Sequence, residues 1–136
     1  MRNEKKPLRA DHVGSLLRPK AIHEARAKKA KSEITAAQLK EVEDREIERV
    51  IRKQEEVGLK AITDGEFRRS WWHLDFLWGL DGAEKHVMDT GIKFAAVNTR
   101  NEGVQVTGKL GMSGPHAMVE HFKFVAAHTR QTPKIT

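Results

Sequence analysis

Leu39, Val42, Ile47, Val50, Ile51 and Val57 recur at the spacing of one helical face, and charged residues fill most positions between them. The pattern predicts a long amphipathic helix. Thr35-Ala36-Ala37-Gln38 ahead of it has the form of a capping box, Glu41/Arg45 and Glu48/Arg52 stand as i,i+4 pairs, and Gly58 is placed to end it. Leu59 to Thr63 then reads as a short buried strand, with Asp64-Gly65-Glu66 just past its carboxyl end. Upstream, Leu8 to Val13 reads as a strand and Gly14-Ser15 as a turn. Arg18-Pro19 opens a helix over Ala21 to Lys31.

The second half is patterned differently. Residues 70–78 are aromatic and hold all three tryptophans; Gly79 to Gly82 reads as a loop. Ile92, Phe94 and Ala96 alternate, Asn101-Glu102-Gly103 suggests a turn, and Val104 and Val106 alternate back, which predicts a β-hairpin over Gly91 to Leu110. After Ser113-Gly114-Pro115 a helix is expected, with Met118, Val119, Phe122, Val125 and Ala126 on one face. Thr132 to Thr136 begins a further strand.

Helix, glycine, strand and polar loop in that order form the unit of parallel α/β folds, in which chemistry collects at the carboxyl ends of strands. Gly14-Ser15 and Asp64-Gly65-Glu66 both fall at such ends. The expected fold is α/β: the first two to three units of a (β/α)8 barrel with an inserted β-hairpin. A whole barrel takes about 250 residues, and this chain has 136. The expectation is therefore an N-terminal fragment, residues 1–136, of a single barrel domain. Its open parallel edge would favour self-association or a completing partner.

Composition narrows the chemistry. The absence of cysteine removes disulfides, a cysteine nucleophile and thiolate metal ligands from this chain. No stretch has the length of a membrane span and the charged N-terminus lacks a signal-peptide core, so a cytoplasmic protein is expected. The net charge is +6, but residues 1–31 alone carry +7. Lys28, Lys29 and Lys31 then form either a solvated helix face or a phosphate-contacting patch. With no nucleic-acid motif beside them, RNA or DNA is not the expected partner.

The candidate site residues lie at the strand ends. Glu66 could present a carboxylate to the ammonium group of an amino acid, or could serve as a cap neighbour or a salt-bridge partner of Arg68 or Arg69. Asp64 could join it as an acid/base pair or form an Asx turn. His12-Val13-Gly14-Ser15 offers an imidazole, a hydroxyl and backbone N–H groups for a carboxylate, or a plain turn. His116 and His121 are five apart, which misses the spacing of a helical zinc pair. The Trp71, Trp72, Phe76 and Trp78 cluster could wall a pocket for a flat ring or simply pack. No dinucleotide, phosphate-loop or serine-esterase motif is present.

HVGSLLRP, GLKAITDGEFRRSWWHLDFLWGLDG and VTGKLGMSGPHAMVEHFKF together closely resemble the catalytic C-terminal barrel of cobalamin-independent methionine synthase, in its shorter single-barrel bacterial form. The resemblance implies a (β/α)8 barrel that transfers a methyl group from methyltetrahydrofolate to the zinc-bound sulfur of homocysteine. It places Val13, Gly14 and Ser15 on the amino-acid part of homocysteine and Glu66 on its ammonium group. Asp64 stands where the family has His, which leaves room for another acceptor thiol or methyl donor. The family's zinc ligands lie later in the chain and none maps here. Three readings follow: the amino-acid half-site of a zinc-dependent thiol methyltransferase, a truncated inactive remnant, or a basic interaction module using residues 1–31.

Overall fold

The computed structural model describes residues 10–91, 93, 95 and 99–136, which form two compact units. One comprises the residues up to Arg68 together with His121–Thr136; the other is Arg69–Glu120.

The first unit is built from helices α1 (Lys20–Ala30) and α2 (Ala36–Glu56), strand β1 (Ala61–Ile62), the later part of helix α4 (Ala117–His128) and strand β4 (Thr132–Pro133). The predicted capping box is present: Thr35 Oγ1 accepts from Gln38 N at 3.1 Å, and Gln38 Oε1 accepts from Thr35 N at 2.8 Å. Gly58, at φ 89°, follows the C-terminal cap of α2. Ile22 of α1, Ile47 and Ile51 of α2, Ile62 of β1, Phe67 and Val125 of α4 are buried together as the core. Full burial of such side chains contributes about 1.5–3 kcal/mol each.

β1 and β4 pair in parallel, Ala61 with Thr132 and Ile62 with Pro133. This pair bears out an α/β arrangement; among the described residues there is no closed barrel. The strand expected over Leu8 to Val13 is not formed where it can be seen: Asp11 to Val13 carry no strand pairing, and Leu8 lies outside the described residues. The face expected of α4 is also adjusted. Phe124 and Val125 meet the core, whereas Val119 and Phe122 are exposed.

The polar face of α2 is less solvated than its sequence suggests. Glu43 and Glu46 are buried. Arg26 and Arg68 both reach Glu43, and Arg68 also bonds Asp44 while lying over the Phe124 ring at 5.0 Å. Burial raises the Glu43 carboxyl above its ordinary range despite both arginines. Arg52 turns to Glu55 (3.4 Å) and the carbonyl of His128 (3.2 Å), and Glu48 faces His128 instead.

Glu55 ties the end of α2 to the α4–β4 loop by accepting from Thr129 Oγ1 (2.7 Å) and Arg130 N (2.9 Å). The Thr129 hydroxyl first, and the Arg130 amide next, hold its carboxyl below the usual range and outweigh the effect of burial. A depressed folded value adds stability that is present above the unfolded value of about 4.3 and lost as pH falls through the folded one. Glu43, raised, has the opposite sign: its contribution favours folding as pH falls. Glu55→Gln is therefore expected to flatten the acid limb of the unfolding-midpoint curve below about pH 4.3. A parallel downward displacement at every pH would show instead that the carboxylate charge is immaterial.

The second unit holds helix α3 (Leu74–Leu77) and an antiparallel hairpin of β2 (Asp81–Val87) and β3 (Glu102–Gly111). A hairpin is thus present, with residues 81–87 as the arm paired to β3; Ile92, Phe94 and Ala96, on which the expected first arm falls, lie outside the described residues. Asn101-Glu102-Gly103 is not the turn. Asn101 exchanges backbone and side-chain bonds with Met88 (2.7 and 2.8 Å). Glu102, in β3, gains Lys85, Arg100 and Trp71 as partners, contacts that a residue at a turn tip would forgo. The supposed loop at Gly79 to Gly82 ends inside β2. Gly82, at φ 73°, sits at a register shift where an added Cβ would lie 2.6 Å from the carbonyl oxygen of Lys109.

Candidate strand-end site

The carboxyl ends of β1 and β4 carry the candidate residues of the first unit. Leaving β1, Thr63, Asp64 and Glu66 are all buried. Thr63 Oγ1 accepts from Gly65 N at 3.0 Å and Asp64 Oδ1 accepts from Glu66 N at 2.9 Å. The second bond is an Asx turn, so Asp64 shapes the backbone beneath Glu66. Gly65 and Glu66 follow one another in the left-handed region, at φ 63° and 58°. For glutamate that conformation costs about 1–2 kcal/mol. Residues held in it cluster at functional sites. Gly65 has no room for a side chain without displacing Leu16, whose Cβ would lie 3.1 Å away.

The segment His12 to Leu16 lies alongside. Leu16 N donates to the Gly65 carbonyl at 3.1 Å, and Arg18 Nη2 donates to the Glu66 carbonyl at 3.0 Å. His12 Nε2 is 2.8 Å from the Gly14 carbonyl, which requires its proton on that nitrogen. Gly14 is at φ 91°. The Val13 side chain is exposed, and Ser15 Oγ donates to the Leu16 carbonyl at 3.3 Å. The fold thus joins the residues just after Gly14-Ser15 to Gly65-Glu66, through Leu16 and Arg18. Two further residues come from the end of β4: Thr136 Oγ1 donates to Glu66 Oε1 at 3.3 Å, and Lys134 Nζ reaches Asp11 (2.5 Å) and the His12 carbonyl (3.0 Å). Reasoning from the sequence missed both. The signal available was the Lys134-x-Thr136 alternation in the expected strand.

In the second unit Trp71 Nε1 donates to Glu102 (2.6 Å) and Trp78 Nε1 to the Gly103 carbonyl (2.9 Å), seating both rings against β3; Trp72 is exposed. The Lys85 bond first, then that of Trp71, lowers the Glu102 carboxyl. His116 accepts from Met118 N at Nδ1 (3.1 Å) and so donates from Nε2 to the Phe76 carbonyl (3.0 Å). Among the described residues no group of three or more His, Asp or Glu could hold a metal ion. With no cysteine in the chain, these residues do not fit a zinc site. No helix among the described residues is long and apolar enough to cross a membrane.

Residues 8–93, which include both halves of this strand-end arrangement, match the family described as cobalamin-independent synthase, catalytic domain. The chain belongs to this family. It is 48% identical over 135 residues to the uncharacterized protein YxjH of Bacillus subtilis and 47% identical over 137 residues to the uncharacterized protein YxjG of the same organism. These alignments take in 99% and 100% of this chain. Each covers 36% of the relative, so the chain spans about a third of the length of the curated relatives it matches. The 5-methyltetrahydropteroyltriglutamate–homocysteine methyltransferase of Thermosynechococcus vestitus is 39% identical over 64 residues, 47% of this chain and 8% of that protein. A Listeria monocytogenes chain, solved as a candidate vitamin-B12-independent methionine synthase, superposes with a TM-score of 0.71 at 43% identity, over 93% of this chain and 34% of its own.

Proposed function

We propose that this chain carries the amino-acid-binding part of a thiol methyltransferase of the homocysteine S-methyltransferase type, as part of a (β/α)8 barrel. The observation that carries the reading is Glu66: a buried carboxylate on a left-handed backbone at a strand end, beside a glycine-serine segment. A buried carboxylate suits an α-ammonium group through a charge-assisted hydrogen bond. Backbone N–H groups around Gly14 and Ser15 suit the α-carboxylate. Glu66 orients the amino acid, Asp64 holds the turn beneath it, and His12 braces the segment carrying Gly14. The zinc and methyltetrahydrofolate implied by family resemblance would be held by residues outside this chain. A completing polypeptide, or a second copy, would cover the exposed Val13, Leu17 and Val57.

A second reading keeps the half-site and changes the acceptor thiol; it rests on Asp64 at the family's histidine position. Calorimetric titration separates the two. The first expects L-homocysteine to bind and 4-mercaptobutanoate, which lacks the α-amino group, not to bind. Equal binding of both removes Glu66 from the role assigned to it, and binding of neither favours the second reading. If only the chain joined to the remaining two-thirds of a relative is active, this chain is the half-site alone.

A further inference from the structure

We infer that the end of β4, through Lys134 and Thr136, is a positioning element of the amino-acid subsite; the inference rests on the function proposed above and adds to it the residues that hold the subsite in shape. The parallel ladder runs past the two residues of β4: Thr132 N donates to the Lys60 carbonyl at 3.1 Å and Lys134 N to the Ile62 carbonyl at 2.9 Å. Side chains alternate along extended backbone, so Lys134 and Thr136 project to one side and Ile135 to the other. Lys134 and Thr136 both reach site segments, and Ile135 is exposed.

The two contacts reach the two halves of the site separately. Lys134 Nζ binds Asp11 Oδ2 and the His12 carbonyl, and the His12 ring in turn meets the Gly14 carbonyl. Thr136 Oγ1 meets Glu66 Oε1. These tethers matter because apolar packing holds the glycine-serine segment at one end only, through Leu16, which meets the core. Val13 is 75% and Leu17 94% exposed, and a Cβ placed on Gly14 would meet nothing within 4 Å. A segment anchored by a single partly buried side chain opens at low free-energy cost toward its free end unless polar contacts hold it. Lys134 supplies a cation to a carboxylate and a carbonyl at once, and it does so from the same segment after β4 whose Thr136 hydroxyl orients the carboxylate of Glu66.

The test uses the full chain in four variants: Lys134→Met, Lys134→Arg, Thr136→Val and Thr136→Ser. Amide hydrogen exchange is read at Leu16 and at core Ile47, and L-homocysteine is titrated by calorimetry. Lys134→Met is expected to accelerate exchange at Leu16, whose N–H bonds Gly65, by about tenfold and to weaken homocysteine by a similar factor, with Ile47 unchanged. Lys134→Arg restores both. Thr136→Val weakens homocysteine about fivefold without altering Leu16 exchange, and Thr136→Ser restores it. Unchanged Leu16 exchange in Lys134→Met overturns the lysine tether whatever the ligand does. Unchanged affinity in Thr136→Val overturns the threonine contact. Accelerated exchange in a chain whose wild type ignores homocysteine supports the tether and overturns the proposed function instead.

Discussion

Glu66→Ala is expected to weaken L-homocysteine binding by about 100-fold, and Glu66→Gln by nearly as much. A hydrogen bond to a charged group is worth about 1.5–3 kcal/mol, a factor of roughly 10–150 in affinity. Burial places Glu66 toward the upper end, because removing one member of a buried charged pair also leaves the ligand's ammonium without compensation. Gln keeps the shape and the contact with Thr136 but loses the charge. Glu66→Gly separates binding from folding. Glycine accepts φ 58° freely, so the left-handed strain of about 1–2 kcal/mol is relieved and the unfolding midpoint holds or rises while binding is lost. A fall in both midpoint and affinity would mark Glu66 as structural. Calorimetry and thermal unfolding on the same samples decide it.

The second large effect concerns stability. Gln54→Leu is expected to destabilise the first unit by about 3 kcal/mol, read by chemical denaturation. Gln54 is 4% exposed on the inner side of α2. Its Nε2 donates to the Thr63 carbonyl at 2.8 Å and its Oε1 accepts from Thr63 N at 3.1 Å, so the side-chain amide takes the place of a strand neighbour for the residue just past β1. Nε2 also reaches the Val50 carbonyl at 3.1 Å. Leucine is close in size but leaves both Thr63 backbone groups buried and unbonded, each at about 1–3 kcal/mol. Thr63 directly precedes Asp64, so the same change should loosen the Asx turn and weaken the ligand. A midpoint within 0.5 kcal/mol of wild type, roughly the range of neutral surface changes, would show that water replaces the amide.

These two residues differ in how legible they were. Glu66 stood out because a glycine and an acid past a predicted strand form a local signal, and the strand–turn geometry that presents it depends on neighbouring residues. Gln54 did not. Along α2 it reads as one more polar residue between Ile51 and Val57, and its partners lie nine residues on, across a turn. Glu43 and Glu46 were hidden in the same way; Glu43 is buried beside arginines at positions 26 and 68. The hairpin shows the limit on the strand side. Alternation announced that β3 exists, but its partner is chosen by the contacts of Glu102, Trp71 and Trp78, which no window of sequence contains.

By itself the sequence determined helices α1, α2 and α4 and the caps of α2, the short strand before Asp64 with Asp64-Gly65-Glu66 past its end, and the family; it did not announce α3, and it placed a strand before Gly14 where Asp11 to Val13 form none. Each feature it determined is encoded in residues close along the chain, through helical period, capping and glycine placement, or through motifs long enough to be specific. Tertiary structure alone decided that Lys134 and Thr136 reach back to residues 11, 12 and 66, and that a glutamine bonds the residue just past β1. The physical reason is range. Hydrogen bonds between residues up to 123 positions apart become favourable only once the core of Ile22, Ile47, Ile51, Ile62 and Val125 has brought the strand ends together.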